Sequence, residues 1–162
     1  VTAYADEIDR LIGADAAPTI IATDASIEDP IAFAMEAHLE HFLVANWGQT
    51  AFGQDFTIFE EDGEQVGKQY ETDAGRIDIL AVSKDKKRLL VIELKRGRSS
   101  DTVVGQLLRY MGYVKEELAE ADQVVEGVII GLEDDQKLRW AIAPVPAVKF
   151  YRYQINFKLI GA

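Results

Sequence analysis

Three charged residues, Asp78, Glu93 and Lys95, stand within two apolar segments that are separated by a charged turn. Asp78 lies between Ile77 and Ile79, and charged side chains are almost never fully buried unless they are paired or bind a metal. Side chains at positions i and i+2 of a strand point to the same face, so Glu93 and Lys95 emerge side by side. If the two segments pair as a hairpin, Asp78 can lie across from them. Two carboxylates and one lysine would then suit a hard divalent cation beside an activated water.

The helix predicted upstream of these strands carries two further carboxylates, Glu36 and Glu40. It is expected to begin at Asp29-Pro30, because Asp is a preferred N-cap and Pro suits the first helical position. The apolar side chains at helical spacing define a stripe that should be buried: Ile31, Met35, Leu39, Phe42 and Leu43. At about 100° per residue, Glu36 falls at the border of that stripe and Glu40 about 40° further toward solvent. Either can be an ordinary surface residue; if one reaches the site, Glu36 is better placed. Both histidines of the chain are expected on the surface.

A second helix, expected over about 102–119 and capped by Ser99-Ser100-Asp101, has two distinct faces. The buried face should consist of Val103, Val104, Leu107, Leu108, Met111, Val114 and Leu118. The other face carries Gln106, Arg109, Tyr110 and Tyr113. These side chains can donate hydrogen bonds to phosphate or water, and the tyrosines can pack on sugar or base. The same pattern is also typical of an amphipathic helix with tyrosines at its rim.

The remaining pattern predicts a sheet with both local and distant strands. Three consecutive antiparallel strands are expected near 54–59, 76–82 and 88–95, with 65–71 extending the first hairpin. A buried strand near 124–131 and a short helix near 134–143 should follow, and then extended segments near 147–153 and 155–160. Trp140 and Phe150 are expected in the core.

Composition excludes several kinds of site. The chain has 162 residues, 48% of them hydrophobic, which fits one globular domain with a single substantial core. It has no cysteine, so disulfides, thiolate zinc sites and a cysteine nucleophile are excluded. No apolar run approaches the roughly 20 residues that cross a bilayer, and no signal-peptide pattern opens the chain. A cytoplasmic protein is therefore expected, with a natural start that can lie upstream of Val1.

The distribution of charge weakens the objection that a net charge of −11 raises against a nucleic-acid partner. From Lys84 to Lys115 there are nine Lys or Arg residues against three Asp or Glu. The first 40 residues contain nine acids and a single base, Arg10. Basic residues are thus concentrated around the proposed site and acidic residues away from it. A solvent-exposed turn followed by the exposed edge of a helix would give the same cluster of basic residues.

Together these residues resemble the PD-(D/E)xK nuclease motif. Asp78 is followed by fourteen residues and then by Glu93-Leu94-Lys95, with a helical Glu before them and Gln106-Leu-Leu-Arg109-Tyr110 on the helix after them. That order is most similar to the DUF91 or NucS-like endonuclease C-terminal domain, and the likeness runs from about Glu36 to Ile130. Ile77 stands where the motif's name has Pro. The resemblance implies an α/β restriction-endonuclease-like core, with a central mixed β-sheet flanked by helices in the order αβββαβ.

What the resemblance implies about function is a metal-dependent endonuclease acting on phosphodiester bonds of nucleic acid, with DNA the expected substrate. Mg²⁺ or Mn²⁺ would be held by Asp78, Glu93, the carbonyl of Leu94 and, directly or through water, Glu36. Lys95 would hold and help deprotonate the attacking water, and Gln106 would orient that water or a phosphate oxygen. The expected nucleic-acid contacts are Arg109, Tyr110, Arg96, Arg98 and Lys68.

Other interpretations remain open. The fold can also serve a catalytically silent nucleic-acid-binding module, or a regulatory or oligomerisation domain whose acidic surface does the work. Asp78, Glu93 and Lys95 can equally form an internal ion-pair network, although such buried networks are costly without a function. Residues 1–28 are expected to be an N-terminal arm or the remnant of an upstream segment, and residues 29–162 the nuclease-like domain. A homodimer would allow both strands of a duplex to be cut.

Overall fold

The computed structural model of the protein describes residues 25–154 and 158–162. The α-helices within these ranges are α1 (Pro30–Ala45), α2 (Ser100–Tyr113) and α3 (Gln136–Ile142). A 3₁₀ turn follows α1 at Trp47–Gln49, and a π-helical turn continues α2 at Val114–Leu118. The strands are β1 (Phe56–Ile58), β2 (Glu60–Glu61), β3 (Glu64–Gln65), β4 (Lys68–Thr72), β5 (Gly75–Ser83), β6 (Arg88–Leu94), β7 (Val124–Gly131) and β8 (Val148–Arg152).

Six of these strands form one mixed sheet in the order β1-β5-β6-β7-β8, with β4 also paired to β5. The β5–β6 pair is antiparallel, whereas β7 runs parallel to both β6 and β8. Parallel neighbours need a long crossover, and α2 supplies the one between β6 and β7. The predicted mixed sheet and the predicted element order are therefore confirmed.

The strands β1 and β4 both pair with β5, which differs from the simple extension of the first hairpin that the sequence suggested. The bridge Phe56↔Ser83 belongs to β1 and the bridge Lys68↔Ile79 to β4. Between them, the chain leaves the sheet as the small β2–β3 hairpin. β1 and β4 thus cover successive halves of β5 from the same side.

Two apolar layers lie on the two faces of the sheet. The first packs α2, the π-helical turn and α3 against the sheet, and its largest fully buried residues include Ile77, Leu80, Leu89, Leu107, Ile129 and Leu138. The second lies beneath α1, with Ile79, Ala81, Leu90, Ile92, Leu94, Val128 and Ile130 at its centre. Helices on both faces explain why β5 and β6 are buried almost throughout.

Helix α1 begins as predicted but buries a different face. The Asp29 carboxylate accepts hydrogen bonds from the N–H groups of Ile31 and Ala32 (3.0 and 3.2 Å), which caps the helix. The buried positions are two alanines together with Glu36 and Glu40. Ile31 and Phe42, expected inside, are exposed, while the middle of the apolar stripe is only partly buried. The burial expected for Ile31 and Phe42 was therefore wrong, because the site beneath α1 contacts its acidic face.

Smaller differences concern single side chains and the end of the chain. Leu108 and Trp140, expected in the core, are exposed, whereas Phe150 does pack against the first apolar layer. Of the final extended segment predicted near 155–160, residues 155–157 lie outside the described residues, and 158–160 are not strand. Most of the predicted N-terminal arm, residues 1–24, also lies outside them. Among the described helices, none combines the length and hydrophobicity that a bilayer crossing requires.

Candidate active site

The site begins where the ladder between β5 and β6 ends. The last bridge joins Ile79 to Ile92. Beyond it, two side-chain carboxylates accept hydrogen bonds from backbone N–H groups. The N–H of Asp78 donates to Glu93 Oε1 at 3.0 Å, and the N–H of Leu94 donates to Asp78 Oδ2 at 2.8 Å. Both side chains are buried. The convergence expected for Asp78 and Glu93 is thus present, and each carboxylate is fixed by the other's strand.

Glu40, Gln69 and Arg96 surround the free side of Asp78. Arg96 donates from its guanidinium to Asp78 Oδ1 at 3.2 Å and also to Glu40 Oε2. The Gln69 amide donates to the same two residues, reaching Asp78 Oδ1 at 3.2 Å. A cationic side chain therefore lies between two buried carboxylates.

Backbone strain marks the two residues that donate to these carboxylates. Gln69 and Arg96 have φ angles of 52° and 51°, in the left-handed region that residues other than glycine seldom adopt. Gln69 lies opposite Asp78, between the bridges Lys68↔Ile79 and Tyr70↔Ile77. Such conformations persist when the surroundings enforce them, and they cluster at functional sites.

Glu36 lies one turn before Glu40 and makes different contacts. Its exposure is 1%, and its two oxygens accept hydrogen bonds from the N–H groups of Gly97 and Leu132, both at 3.1 Å. It therefore ties together the loops that follow β6 and β7. The expectation that Glu36 is better placed than a more solvent-exposed Glu40 was wrong: both are buried, and Glu40 is the one that shares partners with Asp78.

Burial disfavours the ionised form of the site's glutamates. It raises the pKa of Glu36 to about 7, against opposing hydrogen bonds from Leu132 and Gly97. It also raises the pKa of Glu40, where the charge of Arg96 opposes the shift. The pKa of Glu93 lies well above its usual value because of burial and the nearby charge of Asp78. A buried site with this excess of carboxylate favours protons or cations.

Lys95 forms its ion pair away from Asp78 and Glu93. Its Nζ lies 2.9 Å from Oδ2 of Asp135, the residue that caps α3. Ser100, at the start of α2, donates its hydroxyl to the same oxygen at 2.5 Å. Burial opposes ionisation of Asp135, yet hydrogen bonds from Ser100, Lys95 and Leu138 outweigh it and lower its pKa to about 2. Lys95 is thus held by a carboxylate that stays ionised.

The candidate phosphate-binding residues differ in accessibility. Arg109 and Lys68 are exposed, and Gln106, Tyr113 and Arg98 are half-buried. Tyr110 is only 7% exposed and belongs to the first apolar layer. Its expected contact with a neighbouring phosphate stays a prediction. Arg96 is also withdrawn from the surface, since its side chain is 13% exposed and bound to Glu40 and Asp78. Its predicted contact with the nucleic-acid backbone stays a prediction, and the contacts present in the structure are internal.

Two contributors were missed by the sequence reasoning. Asp135 could have been found, because parallel strands end at the same edge of a sheet: Lys95 follows β6 and Asp135 follows β7, which is parallel to it. Gln69 carried no comparable signal, since its role depends on a left-handed backbone that the sequence does not reveal.

The site does not contain a ready-made cluster of metal ligands. Across residues 25–154 and 158–162, no three His, Asp or Glu side chains are arranged to hold a metal ion. Asp78 and Glu93 supply a carboxylate pair, and Arg96 bridges Asp78 to Glu40. Any metal would therefore depend mainly on this pair, with further oxygen ligands from its surroundings.

Comparison with known sequences points to one family. The sequence model described as the endonuclease NucS C-terminal domain matches residues 45–138, more than half of the chain. Endonuclease NucS of Methanocaldococcus jannaschii is 33% identical over 73 residues, which cover 45% of this chain and 27% of that protein. The chain thus spans about a quarter of this curated relative, and all of α1 except Ala45 precedes the range that the family model matches.

Solved structures share the fold. A repair endonuclease from Pyrococcus abyssi matches with a TM-score of 0.56 and 21% identity, over 74% of this chain and 46% of that one. An EndoMS–dsDNA2 complex matches with a TM-score of 0.56 and 16% identity, over 87% and 51% of the two chains. With the mixed sheet between helices, this likeness confirms the predicted restriction-endonuclease-like fold.

Proposed function

Because the chain belongs to the endonuclease NucS C-terminal domain family, we propose that it is a metal-dependent endonuclease domain that hydrolyses phosphodiester bonds of DNA. The observation that carries the proposal is the pairing of Asp78 with Glu93 at the end of the β5–β6 ladder, each side chain fixed by a backbone N–H of the other strand. Two relatives are described as endonucleases and one solved relative as a complex with dsDNA. Duplex DNA is therefore the first substrate to test.

The donor set fits a hard divalent cation. Asp78, Glu93 and the Leu94 carbonyl would hold Mg²⁺ or Mn²⁺, which prefer oxygen ligands; Mg²⁺ is commonly bound by one or two carboxylates and keeps several waters. Without metal, the Arg96 guanidinium between Glu40 and Asp78 offsets part of this negative charge, so a bound ion would compete with it. Glu40 is the better candidate for a further contact, since both oxygens of Glu36 accept backbone N–H groups. The chemistry that such an ion supplies is polarisation of the phosphate and activation of water.

The protein's own side chains would do the remaining work. Lys95 would donate to the attacking water or a phosphate oxygen and offset the negative charge that develops around phosphorus. Gln106, half-buried on α2, would orient that water. Arg109 and Lys68, both exposed, would bind neighbouring phosphates. If each active site cuts one strand, a second copy of the chain would be needed to cut both strands of a duplex.

A second candidate function is DNA binding without cleavage. The observation that favours it is the absence, among the described residues, of three preassembled metal-binding side chains, together with the engagement of Asp78 by Arg96. This module would bind duplex DNA through the basic side chains and leave the carboxylates as internal ion-pair partners.

The deciding experiment compares the wild type with Lys95→Ala, and with Lys149→Ala as a matched control in which an exposed lysine is removed from β8. Fully paired duplex, single-stranded, mismatched and branched DNA are each incubated with Mn²⁺, Mg²⁺ or EDTA. The proposal expects cleavage that needs metal, falls to a small residual rate in Lys95→Ala and persists in Lys149→Ala. Absence of cleavage, combined with no rise in melting temperature on adding Mn²⁺, would favour the binding module.

A further inference from the structure

We propose that Asp135 is the positioning residue for Lys95, an inference that rests on the endonuclease function proposed above. The Lys95 ammonium lies 2.9 Å from Asp135 Oδ2, and the two side chains are 24% and 14% exposed. A lysine side chain has high rotamer entropy and is costly to hold in one conformation. A partly buried ionic partner reduces the number of positions that the ammonium explores before DNA arrives.

The two oxygens of Asp135 have separate tasks. Oδ1 accepts the N–H of Leu138 at 3.0 Å, which is the N-cap interaction of α3. Oδ2 has different partners: it accepts a hydrogen bond from the Ser100 hydroxyl at 2.5 Å and forms the ion pair with Lys95. A helix cap requires only the first oxygen. The second oxygen is therefore available to act on Lys95 without weakening α3.

The surrounding backbone makes this contact a fixed one. The N–H of Lys95 donates to the carbonyl of Ile130 at 2.8 Å, so the chain leaving β6 is tied to β7. Five residues after Ile130, Asp135 is the N-cap of α3, and Ser100 is buried at the start of α2. Asp135 thus joins the starts of two helices to the lysine. An ammonium carries three donors, so the ion pair leaves others free for water or a phosphate oxygen.

The test is Asp135→Asn, since Asn is also a good N-cap and can keep its carbonyl oxygen toward Leu138. Its NH₂ group then replaces Oδ2 and cannot accept from Ser100 or pair with Lys95. We expect kcat for DNA cleavage to fall by about 10- to 100-fold, the scale of a misplaced catalytic group, with KM changed less than about twofold. Asp134→Asn is the matched control, because Asp134 is exposed and pairs with Arg139.

A double-mutant cycle separates positioning from general damage. If Asp135 acts through Lys95, Asp135→Asn should have no further effect on residual cleavage in a Lys95→Ala background. Unchanged or faster cleavage by Asp135→Asn would overturn the proposal, and so would an equal fractional loss in both backgrounds. The melting temperature of each variant checks that the fold is retained.

A measurement without DNA distinguishes failure of this inference from failure of the proposed function. The ammonium protons of Lys95, assigned with Lys95→Ala, should give a ¹H–¹⁵N correlation in the wild type because the ion pair slows exchange with water. That signal should be lost in Asp135→Asn and kept in Asp134→Asn. Its persistence in Asp135→Asn overturns the contact itself. A wild type that shows the contact but cuts no DNA overturns the endonuclease and, with it, the catalytic purpose of Asp135.

Discussion

Arg96 neutralises carboxylates that would otherwise be buried together. Its guanidinium contacts Glu40 and Asp78, and the side chains of the three residues are between 7% and 13% exposed. Removing one partner of a buried ion pair leaves an uncompensated charge, which is more harmful than replacing the whole pair. Arg96 also retains a left-handed backbone, so its position is enforced by the surrounding structure.

Arg96→Ala should therefore lower the free energy of unfolding by about 3–5 kcal/mol in the absence of metal. Alanine has the same left-handed backbone cost as arginine, so the change isolates the guanidinium. Mn²⁺ should raise the melting temperature of the variant more than that of the wild type, because it no longer competes with an internal cation. Urea unfolding and calorimetric titration with Mn²⁺ measure the two effects. Arg76→Ala, which breaks an exposed pair with Glu71, is the control and should change the unfolding free energy and the Mn²⁺ response little. Equal Mn²⁺ affinity of Arg96→Ala and the wild type would contradict the competition.

Glu36 should make the stability of the domain depend on pH. Its pKa is raised from 4.5 to about 7 by burial, so the folded protein binds more protons than the unfolded chain between these values. Stability is then highest at the acid end of this window, falls as pH rises through it and levels off above about 7. Glu36→Gln should show a shallower fall in urea unfolding across the same window. Glu64→Gln, at the exposed hairpin, should keep the wild-type slope; a Glu36→Gln slope equal to it would contradict the assignment.

At the scale of elements, Gly97 sets how closely α1 approaches the loop after β6. Its carbonyl accepts the N–H groups of Glu28 and Asp29 at 2.9 and 3.0 Å. Its φ is +67°, and a Cβ atom there would lie 2.1 Å from the carbonyl oxygen of Asp29. Only glycine allows this contact without displacing the start of the helix that carries Glu36 and Glu40.

Gly97→Ala should consequently lower the free energy of unfolding by at least about 1–3 kcal/mol, the cost of the left-handed backbone, with the steric clash adding to it. Gly105→Ala is a control of opposite sign. Gly105 lies on α2 with nothing within 4 Å of an added Cβ, so alanine should stabilise the helix by up to about 1 kcal/mol. Urea unfolding of both variants checks the pair, and a neutral Gly97→Ala would mean that α1 can shift freely.

Most helix and strand positions could be predicted from the sequence, whereas the buried face of α1 could not. Strand and helix positions followed from periodicity and caps, and the spacing of Asp78, Glu93 and Lys95 located the edge of the sheet at which the site lies. Periodicity predicted the wrong buried face for α1. The apolar stripe that includes Ile31 and Phe42 is as regular as a buried one, yet both residues are exposed. The inward turn of Glu36 and Glu40 depends on donors from distant loops and on Arg96, which no local pattern encodes.

At the scale of the whole molecule, a net charge of −11 means that the proposed DNA binding would depend on exposed basic side chains. Arg109 is exposed on α2, and its guanidinium lies 6.0 Å from the ring of buried Tyr110. Arg109→Ala should weaken binding similarly for all DNA sequences and reduce the slope of log K against log salt by about 1. Fluorescence anisotropy at several salt concentrations measures that slope. Arg139→Ala, which removes an exposed arginine paired with Asp134, should leave the slope unchanged; a loss of slope in both variants would indicate diffuse attraction.

Because β1 and β4 each pair with β5, the segment between them can change in length without moving the site. The bridges Phe56↔Ser83 and Lys68↔Ile79 fix the two strands independently, and the β2–β3 hairpin leaves the sheet between them. Insertions or deletions at the hairpin tip, around Asp62-Gly63, would leave Gln69 opposite Asp78. This tip is therefore a place where evolution can add a recognition loop, and where an experimenter can insert a fluorescent tag, while the candidate site keeps its geometry.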